Sequence, residues 1–237
     1  MRKSPEFLPI AVRAFLMRRS ILVLAACAAV TFLGAAGQMA PQRLIPAYSD
    51  EQKAQLDKIS AYLNGIHSLK ARFVQIGPEG GTASGTLYIQ KPGQIRFEYN
   101  PPSPLLIVAT GGTVYVKNSK LNTIDHYDLS DTPLGLLLNQ NVDLKANRAV
   151  MGVNEQNGAV IVQARTSTNR NNSNITLVFS SPGLELRQWT VRDNQGGNTT
   201  VALQSLETGV TIDPALFTPP QKAPRQTAKQ TGPLTSR

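Results

Sequence analysis

From Lys70 to Leu206 apolar and polar residues alternate in short runs with a period of two, and turn residues rather than helical stretches separate the runs. Alternation of this kind puts successive side chains on opposite faces of an extended backbone. Eleven strands are expected, over 70–76, 83–91, 94–99, 105–110, 113–117, 122–128, 143–151, 159–166, 174–180, 184–192 and 199–206. The separators carry turn chemistry: Pro92-Gly93, Gly111-Gly112, Asn157-Gly158, Pro182-Gly183 and Asn194-Gln195-Gly196-Gly197. Connections this short leave no room for the crossovers that parallel strands need, so the strands form an antiparallel meander. There is no internal repeat and no linker to divide it. The expected fold class is therefore mainly β, a single domain built on one strongly curved sheet or barrel. Within 184–192 the apolar phase passes from Leu184 and Leu186 to Trp189 and Val191, which places a bulge near Arg187-Gln188.

Two segments depart from the period. Ser49-Asp50-Glu51-Gln52 fits a capping box, so a helix begins there, and Leu56, Ile59, Leu63 and Ile66 fall at helical spacing before it ends near Gly65. In Ser130–Asn139, Thr132 can cap and Pro133 can take the first helical position of a short helix over 133–139. That helix is apolar nearly all round. Each leucine left in water would forgo ~1.5–3 kcal/mol of burial, so the helix must be covered on several sides or face something greasy. The continuous apolar runs Leu105–Ala109 and Ala159–Val162 imply strands covered on both faces.

The formal charge of +9 is unevenly spread. Residues 1–40 hold five bases against one acid, and 219–237 hold four bases and no acid, which leaves 15 bases and 14 acids in the body, 41–218. A nucleic-acid-binding body carries its own basic stripe, and this one does not. The first forty residues read as an export signal: Arg18 and Arg19 precede the apolar stretch Ile21–Ala36, and cleavage fits after Gly37 or Ala40. A periplasmic location follows. The stretch is short for a membrane span of ~20 apolar residues, so a retained anchor is the lesser alternative. Met17 is a second candidate start. The only cysteine, Cys27, closes Leu24-Ala25-Ala26-Cys27, which resembles a lipoprotein processing box, but the residues after it stay apolar where a polar tether is expected. Later cleavage leaves no cysteine and no thiol chemistry. The organisation expected is a signal peptide over 1–40, a β domain over 41–220, and a basic, disordered tail over 221–237.

Catalytic constellations are missing. His67 and His126 are the only histidines, and neither lies at a metal-ligand spacing with cysteine or carboxylates. There is no nucleophile elbow, phosphate loop or dinucleotide fingerprint. Asp125, Asp128 and Asp131 come nearest to an acidic cluster and read as solvated carboxylates at strand and loop edges. No enzyme activity, metal or cofactor is expected. A hydrolase would require His126 and an aspartate to converge in a cleft.

A capped helix leads into Ala71-Arg72-Phe73-Val74-Gln75, then Ser84-Gly85-Thr86-Leu87-Tyr88-Ile89-Gln90-Lys91-Pro92-Gly93-Gln94-Ile95-Arg96-Phe97-Glu98-Tyr99. A leucine-rich Thr-Pro segment follows in mid-chain, and Phe217-Thr218-Pro219-Pro220 closes the body. From about 49 to 220 this order of segments resembles the periplasmic outer-membrane lipoprotein carrier family, LolA. The resemblance implies an unclosed antiparallel β-barrel whose helices form a lid over an apolar cavity that holds the acyl chains of lipoproteins. It also implies an ATP-driven inner-membrane ABC transporter complex as loader and an outer-membrane acceptor, LolB-like or the membrane itself. A monomer is expected, although nothing in the sequence fixes the oligomeric state. Two departures stand out: Phe97 where tryptophan is frequent, and the basic end after Pro220.

Joined to the apolar pattern, the resemblance makes Phe73, Leu87, Ile89, Arg96, Phe97, Leu106, Val108, Leu134, Leu137, Leu138 and Trp189 the expected lipid-binding set. For any one of the apolar members, ordinary core and cavity lining are both open. Arg96 has two readings. Strict alternation puts it with Glu98 on the face opposite Ile95, Phe97 and Tyr99, as a solvated ion pair, whereas the resemblance implies an inward arginine that hydrogen-bonds lid carbonyls. The alternative function is a regulatory or lipid-binding module of the same fold, with a different envelope lipid or partner, for which an additional domain would be expected.

Overall fold

The computed structural model describes residues 48–168 and 171–222, with the backbone alone over 166–168 and 171–172. The expected signal peptide, Cys27 and the tail beyond Lys222 lie outside the described residues. Helix α1 (Asp50–Gly65) starts where the capping box predicts. The Ser49 hydroxyl accepts from the Gln52 N–H at 3.2 Å, and the Gln52 side-chain oxygen accepts from the Ser49 N–H at 3.0 Å. Two otherwise orphaned donors are thereby satisfied. Leu56, Ile59 and Leu63 form the buried stripe of α1, and Ile66 extends it.

Eleven strands follow: β1 (Ser68–Ile76), β2 (Thr82–Gln90), β3 (Gln94–Tyr99), β4 (Leu105–Thr110), β5 (Thr113–Asn118), β6 (Thr123–Asp128), β7 (Val150–Gln156), β8 (Ala159–Thr168), β9 (Asn171–Ser180), β10 (Leu186–Arg192) and β11 (Asn198–Thr208). They make one antiparallel sheet in the order β6-β5-β4-β3-β2-β1-β11-β10-β9-β8-β7, unclosed, with β6 and β7 as its edges. A ring contact measures its curvature. Phe97 on β3 and Trp189 on β10 are four strands apart in the sheet, about 19 Å if it were flat, yet their ring centroids are 6.2 Å apart. The sheet has curled until its own inner face meets itself.

Bulges contribute to the bending. The register shifts between Leu186 and Gln188, between Lys70 and Arg72, and between Val150 and Gly152. The first is the bulge that the phase change in 184–192 predicts, and it lets Leu186 and Trp189 both face the core. Gly85 permits a close approach of a different kind. It pairs with Phe73 across β1–β2 and with Tyr99 across β2–β3. A Cβ at this position would run into the Glu98 carbonyl oxygen and come within 2.8 Å of the Phe73 ring.

The chain between β6 and β7 departs from expectation. Residues 143–151 were expected to be a strand, but β7 begins only at Val150. The alternation of Val142 and Leu144 that suggests a strand is real, since both are buried. Their backbone, however, bonds to α1: the Val142 N–H donates to Asn64 Oδ1 at 2.8 Å and the Leu144 N–H to Ser60 Oγ at 3.0 Å. This strap mimics a strand edge with a helix as its partner. The mid-chain helix is also shorter than expected. A 3₁₀ turn spans Leu129–Asp131, and helix α2 is the single turn Gly135–Leu138, with Leu134 rather than Thr132 in the capping position. The Thr132 hydroxyl instead donates to the Leu129 carbonyl at 2.8 Å and closes the 3₁₀ turn.

Because Gly85 is confined by backbone on one side and an aromatic ring on the other, Gly85→Ala should destabilise the fold by ~1–3 kcal/mol, the cost of overpacking. Thermal melting should show it as a fall of about 2–4 °C in Tm for each kcal/mol. Gly81→Ala, where nothing lies within 4 Å of the new Cβ, is the control and should melt with the parent.

Candidate functional site

The register of the sheet sorts its residues into two faces. Leu87 pairs with Phe97 and Ala71, Ile89 with Ile95 and Leu69, and Trp189 with Val201 and Leu177. All belong to one continuous apolar layer with Leu56, Ile59 and Leu63 of α1, Leu137 and Leu138 of α2, and Val142 and Leu144 of the strap. Phe73 is the hub of its aromatic part. Its ring stands edge-on to Phe97 at 5.4 Å and to Tyr99 at 5.1 Å, and Phe97 carries the contact on to Trp189. Edge-to-face contacts of this kind favour one arrangement of the rings over a loose apolar fill. Of the expected set, Phe73, Leu87, Ile89, Phe97, Leu137, Leu138 and Trp189 are brought together here and buried. Leu134 is half-buried against the same layer.

Polar groups fasten the cover at its rim. The Lys91 ammonium donates to the Leu63 carbonyl at 2.8 Å, at the C-terminal end of α1, where a helix presents unpaired carbonyls and the negative end of its dipole. Burial holds this ammonium below the usual lysine range. Two residues on, the Gly93 N–H donates to the Leu138 carbonyl at 3.0 Å, so the same β2–β3 turn also holds α2. At the opposite border, the Tyr48 hydroxyl donates to the Val150 carbonyl and the Gln52 amide to the Val153 carbonyl, both at 3.0 Å. Tyr62 accepts from the Leu186 N–H at 3.1 Å while its ring stands edge-on to Phe179. Within the layer, the Tyr99 hydroxyl donates to Gln75 Oε1 at 2.8 Å, and burial pushes the phenol far above its ordinary range. On β6, burial and the neighbouring Asp125 carboxylate push Tyr127 up to about 12.

Three of the expected site residues stand on the other face. Arg96 pairs in register with Val108, and Glu98 with Leu106, so all four project outward. The inward reading of Arg96 is corrected. Its Nε donates to Glu98 Oε2 at 3.0 Å and its Nη1 to the Leu216 carbonyl at 3.1 Å. Leu216 belongs to a 3₁₀ turn, Pro214–Phe217, that packs on β3 and β4. Arg96 thus holds backbone carbonyl, as the resemblance implies, but that of the C-terminal segment rather than the lid. Leu106 and Val108 leave the site for the same reason of phase. Val108, wholly buried, and Phe217 lie outside the main apolar layer, where the turn packs on β3 and β4. The expectation that Leu105–Ala109 is covered on both faces therefore holds from Ile107 to Ala109, whereas Leu105 and Leu106 are half-buried. That for Ala159–Val162 does not, because Ala159 and Ile161 are only half-buried. His126 stands on the outer face, edge-on to Tyr115 at 5.0 Å, while Asp125 shares the opposite phase with Tyr127.

Lys91, Asn64 and Ser60 were not singled out in the sequence. A lysine before Pro-Gly reads as a solvated turn residue, and the two polar helix residues read as the wet face of α1. The available signal was the position of Asn64 and Ser60 beside the apolar stripe, one residue after Leu63 and Ile59.

Comparison with known proteins places the chain among its relatives. The family profile "Outer membrane lipoprotein carrier protein LolA" matches residues 64–220. An outer-membrane lipoprotein carrier protein from Methylococcus capsulatus is 26% identical over 178 residues, covering 71% of this chain and 85% of that protein. One from Dechloromonas aromatica is 27% identical over 180 residues, with the same coverage of 71% and 85%. Among solved structures, a LolA superfamily protein from Nitrosomonas europaea superposes with a TM-score of 0.40 at 7% identity, covering 69% of this chain and 97% of that one. The profile spans well over half of the sequence, and the chain belongs to the LolA family of outer membrane lipoprotein carrier proteins.

Proposed function

We propose that this chain is a periplasmic carrier that takes up the acyl chains of lipoproteins between its curved sheet and its two helices and moves them from the inner to the outer membrane. The observation that carries this reading is the layer joining Phe73, Phe97 and Trp189 of the sheet to Leu137 and Leu138 of α2. That cover is fastened to the β2–β3 turn by two hydrogen bonds to backbone carbonyls rather than by a strand ladder. An apolar layer closed by a detachable cover is what a transient lipid carrier requires.

The energetics are those of differential burial. A ~14-carbon chain hidden from water gains on the order of 10 kcal/mol at ~0.8 kcal/mol per CH₂. This is comparable with the burial of a few leucines at ~1.5–3 kcal/mol each, so a chain can take the place of part of the cover, and it is no more than a bilayer offers. Loading therefore calls for an energy source, such as an ATP-driven inner-membrane complex. Unloading is helped by the cover closing again, because the layer then reburies itself and the Lys91 and Gly93 hydrogen bonds re-form. Delivery to a LolB-like acceptor or directly to the outer membrane is consistent with that balance.

Replacing Leu137 and Leu138 together with Asn should abolish binding of a synthetic triacyl lipopeptide, measured by fluorescence titration, while the β circular dichroism persists. Undiminished binding would remove α2 from the site. Lys91→Met should shift the balance the other way. A hydrogen bond from an ammonium to a carbonyl contributes ~1.5–3 kcal/mol, so its loss destabilises the closed, empty state. Lipopeptide affinity should rise about tenfold, and release to acceptor vesicles should slow by a similar factor. Arg96→Leu, on the outer face, should leave the release rate unchanged. If Arg96→Leu slows release and Lys91→Met does not, the cover is held from the other side of the sheet.

A further inference from the structure

The strap between α2 and β7 has its hydrogen bonds to α1 rather than to a strand. Asn64 treats Val142 as a neighbouring strand would, donating Nδ2 to its carbonyl at 2.9 Å and accepting its N–H at 2.8 Å. Four residues earlier on the helix and two residues later on the strap, Ser60 Oγ accepts the Leu144 N–H at 3.0 Å and its O–H donates to the Leu56 carbonyl at 2.7 Å. Asp57 then meets Lys145 at 2.8 Å. The spacing explains the match. Four helical residues advance ~6 Å and two extended residues ~6.6 Å, so a helix face carrying polar groups at 57, 60 and 64 runs in register with an antiparallel extended strap.

We propose that Asn64 and Ser60 are positioning residues that make α1 and the strap one opening unit, so that the cover leaves the apolar layer in a single step. The inference rests on the carrier reading for why the cover opens, but the coupling is a property of the fold. Val142 and Leu144 lie in the same apolar layer as Phe73 and Trp189. If α1 lifted alone, their side chains would still fill the space that an acyl chain must enter. The Val142 and Leu144 amides would meanwhile be left without partners beside apolar surface, which is costly. Helix α2 follows, because only residues 139–141 separate Leu138 from Val142, and the four steps between them span no more than ~14 Å.

Native-state hydrogen exchange of the unliganded protein in low urea tests the coupling. The amides of α1 and those of Val142 and Leu144 should converge on one opening, with the same urea dependence. In Ser60→Ala/Asn64→Ala the strap amides should exchange at least tenfold faster than those of α1. Asn64→Ala alone, which keeps the Ser60 contact, should deprotect Val142 more than Leu144 and guards against a double variant that fails to fold. Separate openings in the parent protein, or unchanged strap protection in a folded variant, would overturn the proposal. A second arm adds a synthetic triacyl lipopeptide. Deprotection of α1 and strap with one common midpoint supports both readings, and two midpoints overturn the coupling. Convergent openings without lipopeptide, together with no response to it, would support the coupling and count against the carrier function.

Discussion

The rest of this structure depends on a sheet that curls without closing. Because β6 and β7 do not meet, the apolar inner face cannot be sealed by strands alone, and the missing cover has to come from elsewhere in the chain. It comes from two places, the helix before β1 and the connection between β6 and β7, which together supply Leu56, Ile59, Leu63, Leu137, Leu138, Val142 and Leu144. A cover made of helix and strap brings its own backbone groups to an apolar border, where each needs a partner. Asn64, Ser60 and Lys91 meet that need, which is why polar side chains ring a greasy layer. The cover is also free of the ladder that locks every strand to its neighbours.

The outer face repeats the theme on a smaller scale. Val108 is as deeply buried as any residue of the inner layer, yet it lies on the outer face, where the turn Pro214–Phe217, held by Arg96, packs on β3 and β4. The sheet therefore carries a helix-and-strap cover on one side and a pinned segment on the other. The chain leaves the described structure at Lys222, a few residues past that pinned turn.

Most of the architecture is legible in the alternation, because period two is enforced wherever one face is buried and the other wet. The bulge at Arg187-Gln188 and the capping box at Ser49 are local chemistry and read correctly for that reason. The misreadings share a physical cause. Leu105–Ala109 is apolar throughout, so it carries no phase, and Leu106 and Val108 could not be assigned to a face without the neighbouring register. Val142 and Leu144 alternate as strand residues do, and nothing local reveals that their partner is a helix. For Arg96 the alternation alone points outward, as found; the expectation of an inward latch comes from family resemblance, and the side chain that reaches a carbonyl of α1 is Lys91. A half-buried lysine on a turn has no signature in composition or spacing.

The pairing of β1 with β11 has a consequence for how the chain reaches this state. The sheet consists of two meanders, β1 to β6 and β7 to β11, each assembled from neighbours in sequence, and the seam between them joins Phe73 to Leu203 across more than half of the chain. Local hairpins form early and cheaply, whereas a contact this distant must wait for loop closure. The aromatic cluster straddles that seam, with Phe73 and Phe97 on one side and Trp189 on the other. Strand β11, the last in sequence, is thus the one that brings the two halves of the core together, and without it each meander holds only half of the inner layer.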